Sequence, residues 1–103
     1  MKIPKTLKIG GHKYKIEYPY LFKERTDVDG SHGNQKSEIR IANIDASGCS
    51  LSKSYTECVF WHEVFHAINK VYCGDQIKEE VIEGLAQGML QVLGDNFKDL
   101  EVK

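Results

Sequence analysis

The chain has 103 residues, which predicts one small domain with a single hydrophobic core. Hydrophobic residues make up 41% and charged residues 28%, a composition that argues against a disordered or membrane-embedded chain. The 14 basic and 15 acidic side chains nearly balance, so no electropositive field favours nucleic acid as a partner. Neither a signal peptide nor a membrane span is evident, and we expect a cytoplasmic protein without a membrane partner.

The first half of the chain carries short runs typical of β-strands. Residues 5–9 and 12–18 flank Gly10-Gly11, a pair that supplies the positive φ angles of a tight turn, so we expect an N-terminal β-hairpin. A polar surface loop is expected within residues 20–34. Apolar and polar side chains alternate over residues 37–42, which predicts a third strand.

The second half of the chain carries two helical patterns. The sequence Ser54-Tyr55-Thr56-Glu57 matches the S-x-x-E capping box, so we expect a helix of about five turns over residues 54–72. Apolar residues on both of its sides predict that it is sandwiched in the core. A second helix is expected over residues 76–93, in which Gly84 and Gly88 indicate close approach to another element, such as the first helix.

The most specific feature is the H-E-x-x-H motif formed by His62, Glu63 and His66 in the first predicted helix. Histidines four residues apart project from one helix face, so both imidazoles can reach a single zinc ion. The glutamate would take the proton of an activated water and pass it to the leaving amine. The motif therefore predicts a zinc-dependent metallopeptidase acting on a protein or peptide, with Glu63 as the catalytic residue. The alternative is a helix with two half-buried histidines and a surface glutamate.

A catalytic zinc ion needs a third protein ligand. In this motif class it often comes from a following helix, which makes Glu79, Glu80 and Glu83 the candidates. Glu79 lies at the edge of the apolar arc of the second helix and is the predicted ligand, whereas the other two are expected to solvate an exposed face. Both remain open as alternatives, because sequence alone does not fix the phase of the helix.

Three further residues bear on this site. Cys58 precedes His62 by one turn and Cys73 falls on the same face beyond His66, so either sulfur could close the zinc site and remove the open position that chemistry needs. That alternative describes a non-catalytic, zinc-stabilised protein-binding module, although burial as a small thiol is the commoner fate of cysteine. His32 could overhang the cleft and steady an oxyanion, but a solvated loop histidine is the favoured interpretation.

A family resemblance rests on His62-Glu63-Val64-Phe65-His66-Ala67-Ile68, the strand before it and the glutamate-bearing helix after it. This arrangement resembles the small H-E-x-x-H proteins encoded by bacteriophages and prophages, and more distantly the ImmA/IrrE-type metallopeptidases and other gluzincins. The resemblance implies a minimal zincin-like α+β domain over residues 1–103, ββ(β)αα, with an N-terminal β-hairpin and an edge strand packed on two helices. It implies zinc on His62, His66 and a downstream glutamate, with Glu63 catalytic. It also suggests that residues 37–42 form the edge on which an extended peptide pairs, the alternative being an ordinary core strand.

Overall fold

Four strands and two helices form the described part of the chain, which in this computed structural model covers residues 2–22, 30–33 and 36–97. The strands make one mixed sheet in the order β1-β2-β4-β3, which packs against α1, and α1 packs in turn against α2. The predicted α+β fold class is confirmed. The elements are β1 (Thr6–Ile9), β2 (His12–Glu17), β3 (Gly30–Gly33), β4 (Glu38–Ile41), α1 (Lys53–Tyr72) and α2 (Glu79–Asn96).

The predicted N-terminal hairpin is confirmed. Strands β1 and β2 are antiparallel, with Ile9 opposite His12 at the turn. Gly10 and Gly11 have φ angles of 59° and 85°, left-handed values that glycine adopts without strain. A Cβ atom on Gly10 would overlap the side chain of Val71, so the turn lies directly against α1.

Strand β4 lies inside the sheet, so the prediction that residues 37–42 form an edge strand is wrong. It pairs in parallel with β2 on one side and antiparallel with β3 on the other. The sequence of β3, Gly30-Ser31-His32-Gly33, contains neither a β-branched residue nor an alternation that predicts a strand. It forms because β4 presents a row of backbone groups that need partners. Residues 23–29 and 34 of the predicted loop lie outside the described part of the chain.

The core lies between one face of the sheet and one side of α1. Ile39 and Ile41 both point inward from β4, as their alternation predicts, and Phe60 of α1 is equally inaccessible to solvent. Burial also raises the pKa of the Tyr14 phenol, which belongs to the same cluster. This packing fixes the middle of α1, where the H-E-x-x-H motif lies, against the sheet. The buried residues of this hydrophobic core are Ile9, Tyr14, Ile16, Ile39, Ile41, Phe60, Val64 and Ala67.

Helix α1 begins at Lys53, one residue before the predicted capping box. Its N-cap is Ser52, whose hydroxyl oxygen accepts a hydrogen bond from the backbone N–H of Tyr55 at 3.2 Å. The predicted box at Ser54 to Glu57 is therefore wrong, because both residues already lie within the helix and Glu57 is buried in its second turn. The expectation that α1 is sandwiched is confirmed, since the helix contacts both the sheet and α2.

Helix α2 packs on α1 through a narrow strip that contains its two buried residues, Ile82 and Ala86. Gly84 and Gly88 are exposed, and a Cβ atom built on either would have no neighbour within 4 Å among the described residues. The predicted close approach at these glycines is therefore wrong, because they lie outside the contact strip. Neither helix in the described part of the chain is long and apolar enough to cross a membrane.

The open surroundings of Gly88 predict that Gly88→Ala stabilises the protein. Alanine restricts the unfolded chain and has the higher helix propensity, so the free energy of unfolding should rise by about 0.5–1 kcal/mol. Urea denaturation followed by circular dichroism measures this change. Gly10→Ala is the matched control and should destabilise, because Gly10 has a positive φ and abuts Val71. Destabilisation by Gly88→Ala would show that this face of α2 is covered.

Candidate metal centre

The candidate site lies where α1, the start of α2 and β3 meet. His62 and His66 lie one turn apart on α1, and Glu79 is the first residue of α2. The connection between the helices is held by Asn69, whose side-chain amide donates to the carbonyl of Ile77 and accepts from its N–H, both at 3.1 Å. These bonds fix the chain just before α2, and so they bring Glu79 back beside the two histidines.

The metal-binding atoms of these three side chains converge. The Nε2 atoms of His62 and His66 are 3.2 Å apart. The two carboxylate oxygens of Glu79 lie 2.7 Å from Nε2 of His62 and 2.8 Å from Nε2 of His66. One ligand atom from each residue falls within 4.8 Å of the others, so these three residues could hold a metal ion.

The chemistry of the donor set is compatible with zinc, one of several transition-metal ions that imidazole and carboxylate ligands bind. Two nitrogens that bind one zinc ion at 2.0–2.1 Å with tetrahedral angles are about 3.3 Å apart, close to the 3.2 Å that separates the two imidazoles. The 2.7 and 2.8 Å between the Glu79 oxygens and the two Nε2 atoms are hydrogen-bond distances, shorter than the separation of two ligand atoms on one zinc ion. Two imidazoles with one carboxylate is a ligand set of catalytic zinc sites, whereas magnesium and calcium prefer oxygen ligands alone. The Glu79 side chain is 62% exposed, so the cluster is accessible to solvent.

Glu83 contacts the far side of the His62 ring. Its Oε2 atom lies 2.7 Å from Nδ1 of His62, so the expectation that Glu83 only solvates an exposed face is incomplete. The contact lies outside hydrogen-bond geometry, because the buried Nδ1 atom of His62 has no hydrogen-bond partner among the described residues, so the carboxylate acts on the ring through its charge. The hydrogen bond donated by Gln87, together with the neighbouring His62, holds the pKa of Glu83 below its usual value and keeps it ionised. Glu80 is exposed, as expected.

Glu63, the predicted catalytic residue, contacts His32, which the sequence allowed in the cleft but favoured as a solvated loop histidine. Its side chain is 8% exposed, and its Oε1 atom lies 2.7 Å from Nδ1 of His32. The His32 ring also stacks on the ring of His66, with centroids 4.6 Å apart and an angle of 12° between the planes. The favoured interpretation of His32 as a solvated loop residue is wrong. Local sequence carries no signal for this contact, because it depends on the pairing of β3 with β4.

The approach of β3 to α1 requires glycine at position 30. A Cβ atom there would lie 2.5 Å from Cγ1 of Val59 and 3.2 Å from both Cγ and Oε2 of Glu63. Contacts of 2.5 Å are not tolerated between carbon atoms, so a larger residue would push β3 away from the helix. Gly30 therefore allows His32, two residues later on the same strand, to reach Glu63.

The two cysteines that could have closed the site do not join it. Within residues 2–22, 30–33 and 36–97, the cluster of potential metal ligands contains His62, His66 and Glu79 but no sulfur atom. Burial, with a smaller contribution from the negative charge of Glu83, raises the pKa of the Cys58 thiol. Cys73 is also a free thiol.

The contact between Glu83 and His62 predicts that Glu83→Gln weakens metal binding. The substitution removes the charge that favours a proton on Nδ1, and loss of such a partner lowers metal affinity by about 10- to 100-fold. Competition with a chromogenic chelator measures the affinity, with zinc as the probe ion. Glu80→Gln is the matched control on the same turn and should leave the affinity unchanged. Equal affinities of the two variants would contradict a role for Glu83.

No protein-family model, curated protein or solved structure matches this chain. The resemblance to phage and prophage H-E-x-x-H proteins and to the ImmA/IrrE-type metallopeptidases therefore stays a prediction. Function has to be argued from the side chains of the site, since a fold class alone does not specify an activity.

Proposed function

We propose that this chain is a zinc-dependent metallopeptidase that hydrolyses peptide bonds in a protein or peptide substrate. The observation that carries the proposal is the convergence of His62, His66 and Glu79 on one point, with Glu63 between the two histidines on the same helix. The proposal also includes the phage or prophage accessory role that the family resemblance implies, and the cytoplasmic location without a nucleic-acid or membrane partner that the composition predicts.

The ligand set supports catalysis over a purely structural metal site. Structural zinc sites are normally closed by four protein ligands, whereas catalytic sites have three and an open position. Three protein ligands converge here, and no cysteine sulfur of the described residues supplies a fourth. The exposure of the Glu79 side chain gives a substrate access to the ligand cluster. These features favour the enzyme over the alternative, a non-catalytic zinc-stabilised protein-binding module.

The chemistry divides between the metal ion and the protein. A zinc ion held by His62, His66 and Glu79 supplies Lewis acidity and lowers the pKa of water toward about 7. Glu63 acts as the general base, takes up a proton on its carboxylate and returns it to the amine that leaves as the peptide bond breaks. Its carboxylate is linked to the ligands by His32, which contacts Oε1 of Glu63 and stacks on the ring of His66. The charge of Glu83, whose Oε2 atom lies 2.7 Å from Nδ1 of His62, favours the tautomer that leaves Nε2 for the metal ion.

Strand β3 supports an extended peptide as the substrate. It is the outer strand of the described sheet beyond β4, and it lies against α1 at Glu63. An outer strand offers backbone N–H and C=O groups with which an extended chain can pair. In the proposal β3 therefore takes the role that the sequence assigned to residues 37–42, because β4 already has a partner on each side.

Two substitutions in the motif test this proposal. His62→Ala removes a ligand, so bound zinc and hydrolysis should both be lost. Glu63→Gln keeps the ligands, so zinc should stay while hydrolysis falls by about 100-fold or more, the contribution of a general base. Elemental analysis measures the zinc, and release of fluorescence from a pool of quenched mixed-sequence peptides measures hydrolysis.

Three results of this experiment would contradict the proposal. A folded wild-type protein that takes up no zinc would remove the metal site. Full hydrolysis by Glu63→Gln would remove Glu63 as the base. A zinc-loaded wild-type protein that cleaves none of the peptides and no denatured protein substrate would leave the non-catalytic module as the better description.

A further inference from the structure

We infer that His32 is a positioning residue that holds the Glu63 carboxylate in one orientation for catalysis. The inference rests on the proposed function, because it assigns a partner to the residue proposed as general base. The H-E-x-x-H motif and Glu79 lie on the two helices. The inference adds a residue of strand β3 to the catalytic site.

The contact between the two side chains is short, sheltered and long-range. Nδ1 of His32 lies 2.7 Å from Oε1 of Glu63, and the two side chains are 29% and 8% exposed. A hydrogen bond to a carboxylate is strong, and reduced access of water strengthens it further. Thirty-one residues separate the partners, so the contact depends on tertiary structure. His32 is held in place by pairing of β3 with β4, where it lies opposite the fully buried Ile39.

The contact distinguishes the two oxygens of the Glu63 carboxylate. A carboxylate only accepts hydrogen bonds, so in the proposal Nδ1 of His32 carries the proton and donates it to Oε1, 2.7 Å away. Oε1 is therefore engaged, and Oε2 is the oxygen left to take up a proton during the reaction. Without His32, rotation about the side-chain bonds would exchange the two oxygens and move both.

The same imidazole ties Glu63 to a metal ligand. The His32 ring lies parallel to the His66 ring at a centroid distance of 4.6 Å. One side chain thus contacts the general base through its ring nitrogen and the metal ligand through its ring face. Helix α1 sets the spacing of the two backbones, and His32 restrains the Glu63 side chain relative to the His66 ring. Misplacement of a reacting group by about 1 Å can cost about 100-fold in rate.

Two variants of His32 separate the hydrogen bond from the ring contact. His32→Phe keeps a ring against His66 but removes the donor, whereas His32→Asn supplies an amide donor near the position of Nδ1 but removes the ring. With zinc-loaded protein and the quenched mixed-sequence peptides, His32→Phe should lower kcat by about 10- to 100-fold with little change in KM. His32→Asn should recover most of this loss. His12→Asn, at an exposed histidine of the hairpin, is the control and should match the wild type.

A double variant tests whether His32 acts through Glu63. Adding His32→Phe to Glu63→Gln should cause no further loss of kcat, because the group that His32 positions is already disabled. The inference is overturned if His32→Phe has the wild-type kcat, if His32→Asn recovers nothing, or if His32→Phe lowers the rate of Glu63→Gln by the same factor as that of the wild type.

A measurement that needs no substrate separates this inference from the proposed function. Nitrogen-15 chemical shifts of the imidazoles, recorded on metal-free protein, should show His32 protonated on Nδ1, and Glu63→Ala should shift the proton toward Nε2. A His32 tautomer that Glu63→Ala leaves unchanged overturns the inference. Failure of the wild type to bind zinc overturns the proposed function instead, whereas zinc binding and turnover with His32 variants identical to wild type overturn only the inference.

Discussion

The arrangement of the site depends on the hydrogen bonds that Asn69 makes at the end of α1. Its buried side-chain amide pairs with the N–H and C=O of Ile77, and its own carbonyl accepts from the N–H groups of Cys73 and Asp75, both at 3.0 Å. One residue thus caps α1 and folds the connection back along it. Glu79 follows Ile77 by two residues, so its position beside the histidines is a consequence of these bonds. The candidate metal centre therefore depends on this turn as well as on the H-E-x-x-H motif.

The three parts of the site differ in how far sequence predicts them. His62 and His66 follow from helical periodicity, because four residues make about one turn wherever the helix lies. Glu79 was preferred for its position at the edge of the apolar arc, and the structure brings it to the two histidines. Glu83 was assigned to the polar side, yet it reaches Nδ1 of His62, since its long side chain extends beyond the helix face that its Cα occupies.

In the fold, too, the elements that depend on neighbouring residues were predicted, whereas the strand that depends on a distant partner was not. The hairpin at Gly10 and the two helices were predicted, because turn glycines and helical periodicity act within a few residues. Strand β3 was missed, because Gly30-Ser31-His32-Gly33 has no strand propensity of its own and is a strand only through β4. The presence of β3 gives β4 a partner on each side, so β4 lies inside the sheet. It also places His32 against Glu63. Because β3 was not predicted, the wrong strand was placed at the edge of the sheet, and His32 was not assigned as a partner of Glu63.

X-ray absorption spectroscopy of the zinc-loaded protein tests the metal centre most directly. The arrangement of His62, His66 and Glu79 predicts one zinc ion per chain, with two imidazole nitrogens and one or more oxygens at about 2.0–2.1 Å and no sulfur. A zinc–sulfur distance of about 2.3 Å would contradict it by placing a cysteine on the metal. The absence of bound zinc in folded protein at neutral pH would contradict it outright.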